Sequence, residues 1–179
     1  RNPNDPAFGF NKRILAYFAC DLYDVYMTTK LDGASTVFLP FNQGSNGPGK
    51  DGGAGNPRDD KHDYVTEYFW RNVLQKDKLL DILQKFISFE RTEKKKVMPN
   101  GSTETTISTK VIFPRYHQLD VVRKLVNHVR ENGAGHNYLI QHSAGSGKSN
   151  SIAWTAYRMA SLHDENSNPV FDSVIIVTD

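Results

Sequence analysis

The 179-residue sequence predicts an α/β fold, with a small antiparallel sheet and helices in its N-terminal part and a parallel sheet in its C-terminal part. Short runs rich in aromatic and β-branched residues, separated by turn residues, predict the antiparallel strands before residue 42. An apolar run at 138–141, a Gly- and Ser-rich bend and a helical pattern at 149–160 predict a strand–loop–helix unit. A second apolar run at 174–177 lacks alternation of polar and apolar residues, which is typical of a strand buried in a parallel sheet.

The first elements in chain order are three strands. Their predicted bounds are Ile14 to Cys20, Val25 to Leu31 and Thr36 to Phe41. A loop rich in Gly, Pro, Asn and Asp follows at 42–60, and this composition predicts a mobile connection. The loop contains a G-x-G-x-x-G string at 47–52, but no helical pattern follows it, so we do not predict a dinucleotide site there.

Two helices and a hairpin are predicted in the middle of the chain. The helices extend from Tyr64 to Leu74 and from Lys78 to Phe89, where apolar residues recur at helical spacing. A turn at 99–101 predicts a hairpin between Lys94–Met98 and Thr105–Phe113.

Two further helices are predicted on either side of the apolar run at 138–141. The predicted apolar face of the first carries Leu119, Val122, Leu125, Val126 and Val129. The predicted core face of the second carries Ile152, Ala153, Ala156, Tyr157 and Ala160. We therefore expect helix, strand, loop, helix and strand in succession over residues 113–179, with a right-handed crossover.

Composition limits the class of protein. A hydrophobic fraction of 38% and a charged fraction of 23% suit one medium domain or two small ones. A net charge of +2 does not indicate a nucleic-acid binder by electrostatics alone. Cys20 is the only cysteine, so no internal disulfide can form and a reducing compartment is expected. The longest apolar run, at 14–20, is too short to span a membrane, and both chain ends lead us to expect a piece of a longer protein.

The bend at 142–149 has the residue types of a phosphate-binding loop. It keeps the G-x-G-K-S part of the G-x-x-x-x-G-K-[ST] consensus, with His142 in place of the first Gly. Gly145 and Gly147 lack a Cβ, so the backbone N–H groups can approach phosphate oxygens closely. Lys148 is placed to reach the β- and γ-phosphates, and the hydroxyl of Ser149 to bind Mg²⁺. The expected nucleotide-binding residues here are Gly145, Ser146, Gly147, Lys148, Ser149 and Asn150, with Lys148 and Ser149 in catalytic roles.

Three motifs together resemble those of superfamily 2 helicase-like motors, in particular the R (restriction and motor) subunit of type I restriction enzymes. The motifs are Arg115-Tyr116-His117-Gln118, the run from His142 to Ser149, and Val174-Ile175-Ile176-Val177-Thr178-Asp179. Three earlier segments resemble the part of that subunit between its nuclease and its motor domains. They are Val25 to Leu31, Phe38 to Asn42 and Gly53 to Pro57.

The resemblance implies a domain organisation and a set of cofactors. Residues 1–100 would connect the nuclease to the motor, and residues 101–179 would begin a truncated RecA-like ATP-binding domain with a parallel sheet. ATP and Mg²⁺ would be the cofactors. Gln118 would recognise the adenine edge, and Arg115 and Tyr116 would support that pocket.

The resemblance also implies an activity and partners. The whole subunit would hydrolyse ATP to pull double-stranded DNA through a fixed complex, and would then cut the DNA. Its partners would be modification and specificity subunits in the cytoplasm of a bacterium or archaeon, with no membrane contact. The Mg²⁺-binding acidic motif, an arginine from a second lobe and the nuclease carboxylates would lie outside this chain. We therefore expect this fragment to bind nucleotide weakly and to hydrolyse none.

Two other classes of function stay open at this point. One is a small P-loop kinase or GTPase, and the other is a non-catalytic DNA-binding or assembly module in which the loop holds a structural anion. Glu93-Lys94-Lys95 has the E-x-K pattern of a nuclease site, but no paired strand Asp is evident upstream, so we predict that it is linker. The basic triplet at 94–96 is predicted to be a solvated strand or linker rather than a DNA-binding patch, because three charges are a weak signal. The His residues and Cys20 show no metal-ligand spacing.

Overall fold

A computed structural model describes residues 5–10, 12–58, 63–98 and 101–178. The chain forms two compact units, and each unit is assembled from two stretches of sequence. The bounds of the first unit are Arg1–Pro40 and Thr66–Phe113, and those of the second are Phe41–Val65 and Pro114–Asp179. The boundary predicted at residue 100 separates a connecting region from the start of an ATP-binding domain by function. The compact units do not test it, so it stays a prediction.

The first unit contains the antiparallel sheet predicted near the N terminus. Its strands are β1 (Tyr17–Cys20), β2 (Val25–Thr28) and β3 (Leu39–Pro40), in the order β1-β2-β3. β2 pairs antiparallel with both neighbours. The connection between β1 and β2 is held by Asp21, whose carboxylate accepts hydrogen bonds from the amides of Tyr23 and Asp24 at 2.8 Å. These bonds hold the pKa of Asp21 below its ordinary value and specify a tight turn.

Two helical segments follow in the first unit. Phe69–Val73 forms a short stretch of π-helix, and α1 spans Lys76–Lys85. Phe86, which follows α1 directly, is fully buried. The prediction that this helix continues to Phe89 is wrong, because the chain enters a strand at Ser88. Pairing with a partner strand outweighs the local helical spacing of the apolar residues.

An antiparallel ribbon completes the first unit. β4 (Ser88–Val97) and β5 (Thr103–Ile112) pair along their whole length. The hairpin predicted for this region is confirmed, and it is longer than predicted. Val111 is buried at its base, whereas every residue from Thr103 to Lys110 is exposed.

The second unit is built on two helices that pack against each other. α2 spans Tyr116–Asn132, and α3 spans Lys148–Ala160. The apolar face predicted for α2 is confirmed, and its buried members are Leu119, Val122, Leu125, Val126 and Val129. Gly133, with a φ of 75°, ends α2 in a backbone conformation that favours glycine.

The Gly-rich loop folds back on itself in the second unit. The amide of Gly44 donates to the carbonyl of Gly55 at 2.8 Å, and the amide of Ser45 donates to that of Gly53 at 2.9 Å. The side-chain amide of Gln43 donates to the hydroxyl of Tyr116 in α2 at 3.0 Å. The described part of the loop therefore has more internal hydrogen bonding than the mobile connection predicted from its composition.

The predicted parallel sheet is absent from the described residues, so the prediction of a truncated RecA-like parallel-sheet domain is wrong. Residues 138–142 and 174–178 are not strands, and neither segment forms a ladder with any part of the chain that the structure describes. Leu139 is 94% exposed, Ile175 84% and Val177 90%. An apolar run shows that a segment suits burial, but a strand forms only where a partner supplies backbone hydrogen bonds. The protein is a mixed fold of helices and small antiparallel sheets.

α3 also buries a different face from the one predicted. Its buried residues are Ser151, Trp154, Arg158 and Met159. In the predicted core face, by contrast, Ile152 is 47% exposed and Tyr157 is 65% exposed. The predicted sheet, which this face of α3 was expected to cover, does not form. Part of the face, including Ile152 and Ala156, instead lines an open apolar groove of about 370 Å³. The groove is also lined by Ile140 and by residues 174–177.

Candidate phosphate-binding site

The loop before α3 contains two glycines in the left-handed region of backbone conformation. Gly145 has a φ of 71° and Gly147 a φ of 81°, and α3 begins at the next residue, Lys148. A Cβ built on Gly147 would lie 2.5 Å from Nε2 of Gln118, whereas one built on Gly145 would meet nothing within 4 Å. Only glycine fits at position 147 without displacing Gln118, because both the backbone angle and the close approach exclude a side chain.

Gln118 is the main contact between α2 and this loop. Its side-chain amide donates to the carbonyl of Gly147 at 2.8 Å and to that of Ser146 at 3.3 Å. Its side-chain oxygen accepts a hydrogen bond from the backbone amide of Arg115 at 2.8 Å. Gln118 is 3% exposed, and both of its amide hydrogens have acceptors. These partners make Gln118 a residue that positions the loop.

Two further side chains at the start of α2 bind loop carbonyls. The guanidinium of Arg115 donates to the carbonyl of Gly145 at 3.1 Å. Nε2 of His117 lies 3.0 Å from the carbonyl of Ser146, and because a carbonyl only accepts, His117 donates. The carbonyls of three successive loop residues are thus bound by the first turn of α2.

This arrangement sets the direction of the loop amides. In a trans peptide the C=O of one residue points opposite to the N–H of the next. The amides of Ser146, Gly147 and Lys148 therefore point away from the side chains that hold the carbonyls. The amide of Ser146 donates to the carbonyl of Ser143 at 3.3 Å, whereas the amides of Gly147, Lys148 and Ser149 have no acceptor among the described residues. Adjacent free amides at the N-terminal end of a helix favour an anion.

The ammonium group of Lys148 lies at the start of the same loop. Its Nζ donates to the carbonyls of His142 and Ser143, both at 3.1 Å. The residue is exposed. Two of its three donors are used by neutral acceptors, so one donor and the full charge are available to an anion in the loop.

Ser149 and Asn150 occupy the first turn of α3. Ser149 is exposed, and Asn150 is partly buried with its amide bonded to the carbonyl of Gly147 at 3.1 Å. Among the described residues there is no group of three His, Cys, Asp or Glu side chains that could hold a metal ion. The Ser149 hydroxyl fits the role of a single Mg²⁺ ligand, with phosphate oxygens and water as the remaining ligands.

Tyr116 contacts the Gly-rich loop rather than the phosphate-binding loop. Its hydroxyl accepts from Gln43, and its ring packs edge-on against Phe41 with centroids 5.9 Å apart. Burial raises the pKa of Tyr116 above its ordinary value. Tyr116, His117 and His142 line a hollow of about 370 Å³ beside the Gly-rich loop. Gln118, predicted to recognise the adenine edge, and Arg115, predicted to support that pocket, both lie against the phosphate-binding loop. Tyr116, the other predicted supporting residue, lies at this hollow.

No role was predicted for His117 from the sequence. Its ring packs edge-on against that of His142, with centroids 4.8 Å apart. Burial lowers the pKa of both rings below the ordinary value, and the positive charges of Lys148 and Arg115 add to the effect on His142. The sequence does contain a signal that His117 could hold the loop. His117 lies in the first turn of a helix, next to Gln118 in the same motif.

Several buried polar atoms around the loop lack partners. They are Nδ1 of His142 and the hydroxyl oxygens of Ser146 and Ser151, none of which has a hydrogen-bond partner in the described part of the chain. A buried polar atom without a partner costs on the order of 1–3 kcal/mol. A ligand or water bound at the loop would supply the missing hydrogen-bond partners of these atoms.

No family model, curated protein or solved structure matches this chain. Within the described ranges, none of the helices combines the length and the apolar composition of a membrane-spanning segment.

Proposed function

We propose that residues 142–150 bind the phosphates of ATP, and that the chain contributes this site to the DNA-translocating and DNA-cleaving subunit of a type I restriction enzyme. One observation supports the phosphate site most directly. The carbonyls of Gly145, Ser146 and Gly147 are bound on one side by α2, which leaves the unbonded amides of Gly147 and Lys148 directed to the other side.

The charge at the loop favours a polyphosphate over a neutral ligand. The N-terminal end of α3 contributes a partial positive charge, and Lys148 contributes a full one. Mg²⁺ would bind to the hydroxyl of Ser149 and to phosphate oxygens. When bound, the metal would neutralise charge on the terminal phosphates.

The base of the nucleotide would lie beside Tyr116 and His117. Both residues line the hollow next to His142, the first residue of the phosphate-binding loop. Gln118 would act on the nucleotide through the loop, because its amide already binds two loop carbonyls.

The assignment to a restriction-enzyme motor rests on the three motifs quoted above. This assignment implies that double-stranded DNA and the modification and specificity subunits are partners. Phosphoryl transfer to water also needs acidic metal ligands and a positioned water. No acidic metal cluster is present in the described residues, so we expect binding of ATP without turnover by this chain.

The phosphate site is tested by calorimetric titration with ATP, ADP and AMP in the presence of Mg²⁺. We expect affinity to fall with each phosphate removed. We also expect Lys148→Ala to weaken ATP binding about 10- to 150-fold, since a charge-assisted hydrogen bond contributes about 1.5–3 kcal/mol. Arg130→Ala is the matched control, because it removes one positive charge at the opposite end of α2.

Two results would contradict the phosphate site: equal binding of AMP and ATP, or equal effects of Lys148→Ala and Arg130→Ala. Transfer of the terminal phosphate to a small acceptor would instead favour a kinase. DNA binding that ignores ATP, with no nucleotide affinity, would favour a non-catalytic module.

A further inference from the structure

The ribbon formed by β4 and β5, hereafter the β4–β5 ribbon, is exposed along most of its length. Its register extends from Ser88 opposite Ile112 to Val97 opposite Thr103. At the usual rise of a strand, this length is about 30 Å. Apart from Thr92, which is partly buried, all residues of β4 are exposed, and so is β5 as far as Lys110. A two-stranded ribbon is marginally stable alone, so an exposed one of this length is well suited to contact a partner.

One face of the ribbon is polar over four consecutive cross-strand pairs. The pairs are Glu90 with Lys110, Thr92 with Ser108, Lys94 with Thr106, and Lys96 with Glu104. This face carries three hydroxyl groups, three ammonium groups and the carboxylates of Glu90 and Glu104. Hydroxyl and ammonium groups bind phosphate oxygens and the edges of bases.

The charges of the ribbon are not balanced. Glu90 forms an ion pair with Lys110 at 2.9 Å, and Glu93 forms one with Arg91 at 3.4 Å. Lys94, Lys95 and Lys96 form no ion pair with any described residue, which leaves these three lysines against Glu104 alone. Successive strand residues point to opposite faces, so positive charge is present on both faces of the outer half of the ribbon.

We infer that the β4–β5 ribbon binds duplex DNA, with the polar face directed to the major groove and Lys94 and Lys96 of that face reaching the phosphates at its rim. The major groove is about 12 Å wide and admits a two-stranded ribbon. The phosphates along both sides of the groove attract the lysines of the polar face, and Lys95, on the opposite face, adds to this attraction at longer range. The inference rests on the DNA partner of the proposed function, but it does not depend on the phosphate-binding loop. It also revises the prediction that residues 94–96 are a solvated strand or linker rather than a DNA-binding patch.

The test is the salt dependence of binding to a fluorescent 20-base-pair duplex, measured by anisotropy. The variant replaces the three lysines together, as Lys94→Ala, Lys95→Ala and Lys96→Ala. Each lost phosphate contact makes the slope of log K against log salt less steep by about 0.9, so the loss of the two groove-facing lysines should reduce its magnitude by about 2. Affinity at 50 mM salt should fall at least tenfold. The control variant carries Lys76→Ala, Lys78→Ala and Lys85→Ala on α1, with the same loss of charge.

A second variant, which is expected to change DNA affinity in the opposite direction, makes the test more specific. Glu104→Gln removes the one ribbon carboxylate that forms no ion pair with a described residue, and we expect it to tighten duplex binding severalfold. Circular dichroism and the fluorescence of Trp70, which lies in the same unit, would show that the variants keep their fold.

Three results would overturn the inference: no duplex binding by the wild-type chain, equal effects of the two triple variants, or equally tight, lysine-dependent binding of a polyglutamate peptide. The last result would identify an acidic protein as the partner instead. ATP titration of the ribbon variant separates this inference from the phosphate site, because ATP affinity should be unchanged in it.

Discussion

The contact between Gly147 and Gln118 provides a sharp test of how the phosphate-binding loop is held. Gly147→Ala places a methyl group 2.5 Å from Nε2 of Gln118 and also forces a side chain into a left-handed backbone conformation. The amide of Gln118 must then move away from the carbonyls of Ser146 and Gly147. The substitution therefore combines backbone strain with the loss of two hydrogen bonds.

Gly145→Ala is a matched control for the backbone strain. Its φ of 71° is close to the 81° of Gly147, but its new Cβ would meet nothing within 4 Å. The left-handed conformation costs about 1–2 kcal/mol for an L-residue, and this cost is common to both variants. Each lost hydrogen bond costs about 1 kcal/mol. We therefore expect Gly147→Ala to lower the free energy of unfolding by about 2 kcal/mol more than Gly145→Ala does.

The assay is urea denaturation followed by the fluorescence of Trp154, in a Trp70→Phe background that reports on the second unit alone. Gln118→Ala is added in a double-mutant cycle. Once Gln118 is truncated, the methyl group at position 147 has no amide to displace, so the two substitutions should cost less together than the sum of their separate effects. Equal destabilisation by the two glycine variants, or full additivity in the cycle, would refute the argument.

Three further predictions concern other parts of the protein. Burial lowers the pKa of His117 below its unfolded value of about 6.5, so the unfolded state binds more protons and stability should fall as pH drops below about 6.5. His117→Gln should flatten this dependence in urea titrations at several pH values, and an unchanged slope would contradict it. Phe86→Ala should lower the unfolding free energy by about 3–5 kcal/mol, whereas Leu83→Ala, at a 42% exposed position, should cost less than about 1 kcal/mol. Tyr116→Phe removes the hydrogen bond from Gln43, so stability should fall by about 1 kcal/mol and hydrogen exchange in the Gly-rich loop should accelerate; unchanged exchange would show that this bond does not hold the loop.

The helices and hairpins of this chain follow from local signals in its sequence. The buried face of α2 was predicted because its spacing is set by the geometry of the helix itself. The turn between β1 and β2 is encoded by Asp21, whose side chain bonds to the next amides. In both cases the residues that determine the structure lie within a few positions of each other.

The failures of prediction concern structure that depends on distant partners. The runs at 138–141 and 174–177 have the composition of buried strands, but strand pairing is decided by another segment, and none pairs with them in the described structure. The buried face of α3 was mispredicted for the same reason, since it was inferred from the expected sheet. The contacts of Gln118 were not predictable from its motif, because they depend on a loop about 30 residues away in the sequence.

The interleaving of the two units limits where the chain can be divided. The backbone leaves the first unit after Pro40, returns at Thr66 and leaves again after Phe113. A single cut at any position between 41 and 113 removes part of at least one unit, so no simple N- or C-terminal deletion isolates both of them intact. Expression of the first unit alone would require replacing residues 41–65 with a short engineered linker. The second unit alone would need a fusion of Val65 to Pro114, or a circular permutation.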